Sequence, residues 1–108
     1  MTISPSWDRV QGDTGDTLVC QLDGVVDLVA VTSVVGHIWN PRSSTAATNL
    51  TATVLSAVDR TVTVQLGAWL ETADPVTWLL ELQVTSPTQT LTWPAGKPGE
   101  VRVRPQGA

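Results

Sequence analysis

The chain has 108 residues, of which 42% are apolar and 15% are charged, and its formal net charge is -4. This composition excludes a disordered tail and an array of solvated helices, and the length suits one domain with one modest core. One lysine and five scattered arginines form no basic stripe, so nucleic acid is not an expected partner.

The first half of the chain contains short stretches in which apolar residues alternate with polar ones, a pattern typical of β-strands. After an irregular N-terminal arm over residues 1–9, the first predicted strand covers 17–22. A tight turn at Asp23-Gly24 and a short strand or bend over 25–31 follow. The next predicted strand, 33–39, ends at the turn-forming Asn40-Pro41 and leads into a surface loop over 42–48.

The second half predicts a hairpin, one helical turn and three further strands. The hairpin joins 50–54 to 61–66 through a turn near Asp59-Arg60, and residues 67–72 lack any period of two. Strands then follow over 77–84, over 89–93 and around Val101 and Val103. Two tryptophans on these strands, Trp78 and Trp93, are the best core candidates.

The spacing of these strands predicts an all-β fold. About seven or eight short strands joined by Gly, Pro and Asp turns favour an antiparallel two-sheet sandwich over a barrel. The sequence contains neither an internal repeat nor a linker, so we expect residues 1–108 to form a single domain.

The features that report on location point to a protein made in a reducing cytoplasm. Cys20 is the only cysteine, so no intrachain disulfide can form, and its place between Leu18 and Leu22 predicts an inert core thiol. The first residues lack the pattern of a secretion signal, and no stretch approaches the ~20 apolar residues that cross a bilayer. We therefore expect no membrane insertion.

One motif suggests catalysis. Asp13-Thr14-Gly15 in a small all-β chain resembles the site of a homodimeric aspartic protease, and Val34-Val35-Gly36 resembles the apolar pair and glycine that support such a site. However, Gln11-Gly12 stand where that family has an apolar strand, and the second element follows too closely to leave room for a substrate groove. The favoured interpretation is a turn-forming loop, with the protease as an alternative.

Other chemistry has less support in the sequence. His37 is the only histidine, and the aspartates at 13, 16, 23 and 27 lack the spacing of a calcium loop. We therefore expect no catalytic residues, no metal and no cofactor.

The strand over 33–39 supplies the main candidate for a binding surface. If its even-numbered residues face the core, then Val35, His37 and Trp39 form a stripe on the outer face. Such a stripe would suit a protein partner or the ring of a sugar, whereas the alternative is that Trp39 caps the end of the sandwich. The same two interpretations apply to two further tryptophans, Trp69 in the helical turn and Trp7 in the N-terminal arm.

Three segments together carry a family resemblance. The first is Gly12-Asp13-Thr14 together with LDGVVDL at 22–28. The second is residues 34–41. The third is TWLLELQVT at 77–85, which continues to Leu91-Thr92-Trp93-Pro94 and to residues 101–105. In this order they resemble the immunoglobulin-like N-terminal domain of phage baseplate upper proteins, and related small tail proteins of phages and prophages. The resemblance covers nearly the whole chain.

The resemblance implies an immunoglobulin-like β-sandwich with a structural role in the virion and no catalytic residues. The family's domain usually begins a longer chain, whereas this sequence ends at Ala108. That difference favours a tail-tip or baseplate adaptor or a minor tail subunit, made in the bacterial host and present in a symmetric, multi-copy assembly with other phage structural proteins. The alternatives are a capsid decoration protein and a carbohydrate-binding module that contacts a host-surface glycan.

Overall fold

A computed structural model describes residues 6–13, 16–22, 28, 31–43, 47–94 and 97–105 of the chain. Within these ranges the chain forms eight strands and one short helix, so the predicted all-β class is confirmed. The elements are β1 (Ser6–Val10), β2 (Thr17–Gln21), β3 (Ser33–Trp39), β4 (Thr48–Ser56), β5 (Thr61–Gln65), α1 (Gly67–Thr72), β6 (Thr77–Thr85), β7 (Thr90–Trp93) and β8 (Gly99–Arg104).

The strands form one hydrogen-bonded path in the order β1-β8-β6-β3-β4-β5-β2, with β7 paired to β6. All pairs are antiparallel except β1 and β8, which are parallel. The first part of β4 pairs with β3 and its second part pairs with β5. β4 therefore changes its pairing partner along its length, and in this way it joins the strands on the β3 side of the path to β5 and β2.

The two ends of the path lie close together. Arg9 of β1 donates from Nη2 to the carbonyl of Thr17 in β2 over 3.1 Å, and its Nε lies 2.9 Å from Asp16 Oδ2. Because a side chain spans the gap between the end strands, the arrangement is nearly barrel-like. The predicted preference for a sandwich over a barrel stays a prediction.

The core consists of the inward residues of each alternating strand. Leu18 and Cys20 on β2, Val62 and Val64 on β5, and Leu82 on β6 are fully buried. Their outward neighbours are exposed or half-buried, as expected where each strand turns one face to the interior. Four tryptophans are half-buried and pack against this core, namely Trp7, Trp69, Trp78 and Trp93.

Most predicted elements that fall within the described residues are confirmed. The strand over 33–39, the hairpin of β4 and β5, and the helical turn over 67–72 lie where the sequence places them. Arg60 occupies the hairpin turn with a φ of 57°, in the left-handed region. The tight turn at Asp23-Gly24 lies outside the described residues, as do most of residues 25–31.

The irregular arm predicted for residues 1–9 is wrong over residues 6–9, which belong to β1. Trp7 stands opposite Val101 of β8, and Arg9 stands opposite Val103. Val101 and Val103 are buried, so this side of β1 also turns toward the interior. The sequence pattern missed the strand because Arg9 occupies an inward position, where its side chain reaches Asp16 instead of packing as an apolar residue.

Candidate functional site

The predicted stripe on the outer face of β3 is present in the structure. Val35, His37 and Trp39 are half-buried, whereas the alternate residues Gly36 and Ile38 are buried. The predicted facing of β3 is therefore confirmed. We call Val35, His37 and Trp39 the β3 stripe; its role in binding stays a prediction.

Polar side chains from the neighbouring strands flank His37. The register places Asn49 of β4 on one side and Glu81 of β6 on the other. His37 Nδ1 and Asn49 Oδ1 are 2.8 Å apart, so the imidazole donates from Nδ1 when the carbonyl oxygen of Asn49 accepts. This bond fixes the ring and leaves Nε2 as the nitrogen for another partner.

Apolar side chains surround the other end of the β3 stripe. Trp39 stands opposite Leu79 of β6, which is also half-buried. Of the five tryptophans, Trp39 is the one that does not pack against the core. This position argues against a role as an internal cap and gives this end of the outer face an aromatic and aliphatic patch, beside the polar groups around His37.

The structure does not bring Trp69 and Trp7, the other two interface candidates, to the β3 stripe. Trp7 faces the interior from β1, and Trp69 lies on α1. The ring of Trp69 meets that of Trp78 edge to face, with centroids 5.2 Å apart and an angle of 85° between the planes. Both candidates thus make core contacts, and Trp69 is in addition part of a second surface feature.

That second feature is a cleft of about 590 Å³, which sequence reasoning missed. It lies where β4 and β5 separate, beside α1, and we call it the β4–α1 cleft. The only signal in the sequence is the abrupt change from a strand period to a helical turn after Leu66. Its lining comprises Thr48, Asn49, Leu50, Thr51, Gln65, Leu66, Gly67, Ala68, Trp69 and Thr72.

Asp13, the aspartate of the suggested protease site, and the single thiol Cys20 belong to neither the β3 stripe nor the β4–α1 cleft. Asp13 is exposed, and Thr14 and Gly15 lie outside the described residues. An aspartic protease needs two buried carboxylates that share a proton, and an exposed aspartate does not provide this setting. Cys20 is fully buried, and desolvation raises the pKa of its thiol to about 12.

Within the part of the chain that the structure describes, no three or more His, Cys, Asp or Glu side chains group closely enough to hold a metal ion. No helix among the same residues has the length and apolar character to cross a membrane.

No model of a protein family matches the chain, and no curated protein matches it. The resemblance to phage baseplate and tail proteins therefore depends on the sequence segments given above.

Proposed function

We propose that the chain is a non-enzymatic structural protein of a phage particle, namely a tail-tip or baseplate adaptor or a minor tail subunit. It binds other structural subunits of the particle through the β3 stripe. The observation that carries this proposal is the position of Trp39, which lies half-buried on the outer face without packing against the core. The resemblance of the three sequence segments supplies the type of partner.

The physical basis is the burial of an aromatic side chain at a contact. A tryptophan buries ~150–250 Å² when it is fully covered, and residues of this type dominate the binding energy of protein interfaces. Leu79, which stands opposite Trp39 on β6, extends the apolar surface around it. A partner that covers this surface would exclude water from it, while the polar groups around His37 keep their hydrogen bonds.

The polar groups around His37 also favour a partner with a particular charge. Glu81 stands beside His37, whereas Glu100, which stands beside Leu79, is already paired with Arg102 over 3.2 Å. The chain as a whole has a formal net charge of -4. Arginine or lysine at the edge of the partner's surface would complement Glu81 and the negative net charge, and would guide the encounter.

The experiment compares two tryptophans in the phage or prophage that encodes the chain. Trp39→Ala should reduce incorporation into purified particles, measured by quantitative mass spectrometry, because it removes the anchor. The unfolding free energy of the isolated variant should change by less than about 1 kcal/mol, because Trp39 makes no core contact. The matched control, Trp78→Ala, should lower that free energy by about 3–5 kcal/mol, because Trp78 packs against the core.

Two results would contradict separate parts of the proposal. Absence of the unmutated chain from washed particles would refute the virion role. Normal incorporation of Trp39→Ala would refute the role of the β3 stripe while leaving the virion role intact. Gold-labelled antibodies bound to the particles would distinguish a tail or baseplate position from decoration of the capsid.

A further inference from the structure

The β4–α1 cleft arises from the way the chain leaves β5. Ala52 pairs with Val64, so the same register would place Leu50 opposite Leu66. Instead, the Leu66 N–H donates to the carbonyl of Asp16 over 2.9 Å. Its carbonyl accepts from the Leu70 N–H at 2.8 Å and begins α1. The chain has therefore turned away from β4 at this point.

This divergence leaves backbone groups available in the cleft. Residues 48–51 of β4 pair with β3 on one side, and no described strand pairs with their other side. Because successive residues of a strand direct their N–H and C=O groups to opposite edges, about half of these residues present theirs to the cleft. These are fixed donors and acceptors of the kind that orient a polar ligand.

The side chains of the cleft are uncharged. Gln65 supplies an amide, Asn49 supplies its amide NH₂ because its Oδ1 is bonded to His37, and Thr48, Thr51 and Thr72 supply hydroxyls. None of the acidic or basic side chains that the structure describes contributes to the lining. An anion such as a phosphate would find no cation there, and a cation would find no carboxylate, so the lining suits a neutral ligand rich in hydroxyl groups.

Trp69 adds an aromatic surface with a polar atom. The indole N–H of Trp78 donates to the Asp74 carbonyl over 3.0 Å. Among the residues that the structure describes, by contrast, the indole N–H of Trp69 has no hydrogen-bond partner, and it is not one of their buried unsatisfied atoms. Trp69 is half-buried, and its contact with Trp78 fixes the ring. A rigid indole of this kind can contact the apolar C–H face of a ring and donate one hydrogen bond.

We propose that the β4–α1 cleft binds a neutral saccharide, with one pyranose ring on the indole of Trp69 and its hydroxyls on the amides and hydroxyls of the lining. The volume of about 590 Å³ lies within the ~300–1,000 Å³ range of small-ligand sites. This inference does not depend on the phage role, because none of Val35, His37 and Trp39 lines the cleft; the two surfaces meet only at Asn49, which lines the cleft and is bonded to His37.

The test follows the indole N–H signals of the full chain, labelled with ¹⁵N, during titration with disaccharides. The chain has five tryptophans, and Trp69→Phe assigns the signal of Trp69. The probes are chitobiose, cellobiose, maltose and lactose, with a disaccharide containing glucuronic acid as the charged comparison. At least one neutral disaccharide should move the Trp69 signal and leave that of Trp39 in place. A preference for chitobiose would indicate an amino-sugar polymer, and a preference for another neutral probe would indicate a plain hexose polymer.

Matched variants then locate the binding. Trp69→Ala should weaken binding about tenfold, because it removes the stacking surface. Gln65→Ala should weaken it severalfold, whereas Gln83→Ala, an exposed glutamine outside the cleft, should have no effect. Trp39→Ala should also bind normally, which separates this site from the β3 stripe. If Trp69→Ala does not fold, Gln65→Ala and Trp69→Phe decide the question.

Three results would overturn the inference. The first is that no neutral disaccharide moves the Trp69 signal at about 10 mM, a concentration that detects even weak binding. The second is tighter binding of the glucuronic acid probe than of every neutral one. The third is an affinity that is unchanged in both Gln65→Ala and Trp69→Phe, since binding would then occur elsewhere.

Discussion

Gly36 is the residue at which β3 comes very close to β4 and β5. A Cβ atom placed on Gly36 would lie 3.4 Å from Leu50 Cβ, 3.4 Å from the Leu50 carbonyl oxygen and 3.4 Å from Val64 Cγ1. These are ordinary van der Waals contacts at their short limit, so one methyl group fits and a larger group does not. The site therefore makes opposite predictions for two small substitutions.

The magnitudes follow from this geometry. Alanine at Gly36 should gain about 0.5–1 kcal/mol from the smaller backbone entropy of the unfolded chain, and roughly 0.8 kcal/mol from burying a methyl group. The three short contacts offset part of this gain, so we expect Gly36→Ala to raise the unfolding free energy by about 1 kcal/mol. Valine adds two carbons beyond the Cβ, and Gly36→Val should lower the unfolding free energy by about 1–3 kcal/mol.

Urea denaturation followed by tryptophan fluorescence measures both changes, and an unchanged slope shows that only stability has altered. Gly12 provides a matched control, because its φ of 94° lies in the region that L residues disfavour. Gly12→Ala should therefore lower the unfolding free energy by about 1–2 kcal/mol, the opposite sign from Gly36→Ala. If Gly36→Val proved as stable as Gly36→Ala, the close approach of β3 to Val64 would be refuted.

Two further predictions concern Cys20 and Arg9. Desolvation raises the pKa of the Cys20 thiol to about 12, so the folded state disfavours the thiolate. The unfolding free energy should therefore fall as the pH rises from about 9 toward 12, and it should fall less in Cys20→Ala than in the unmutated chain. Urea titrations over this pH range measure both losses, and equal losses would contradict the prediction. Arg9→Ala should lower the unfolding free energy by about 1–3 kcal/mol, because it removes the ion pair with Asp16 Oδ2 and the hydrogen bond to the Thr17 carbonyl. Arg102→Ala removes a more exposed ion pair and should change stability by less than about 0.5 kcal/mol; an equal effect of both variants would argue against the bridging role of Arg9.

The sequence alone determined the strands whose two faces differ in polarity. In 61–66 and 80–84, apolar residues alternate with Thr, Gln or Glu, and the structure buries the apolar set. The same rule placed the β3 stripe on the outer face. These features were predictable because the alternation of side chains across a strand is a local property of extended backbone and does not depend on which strand lies beside it.

The tertiary structure decided the features that depend on distant partners. β1 is a strand because it pairs with β8 from the other end of the chain, and no local alternation of apolar residues marks it. Only the packing distinguishes Trp39 from the four tryptophans that contact the core. The β4–α1 cleft exists because β4 changes partners from β3 to β5 while Leu66 bonds to Asp16. A local pattern carries no information on such pairings, because each is fixed by hydrogen bonds between segments that are far apart in the sequence.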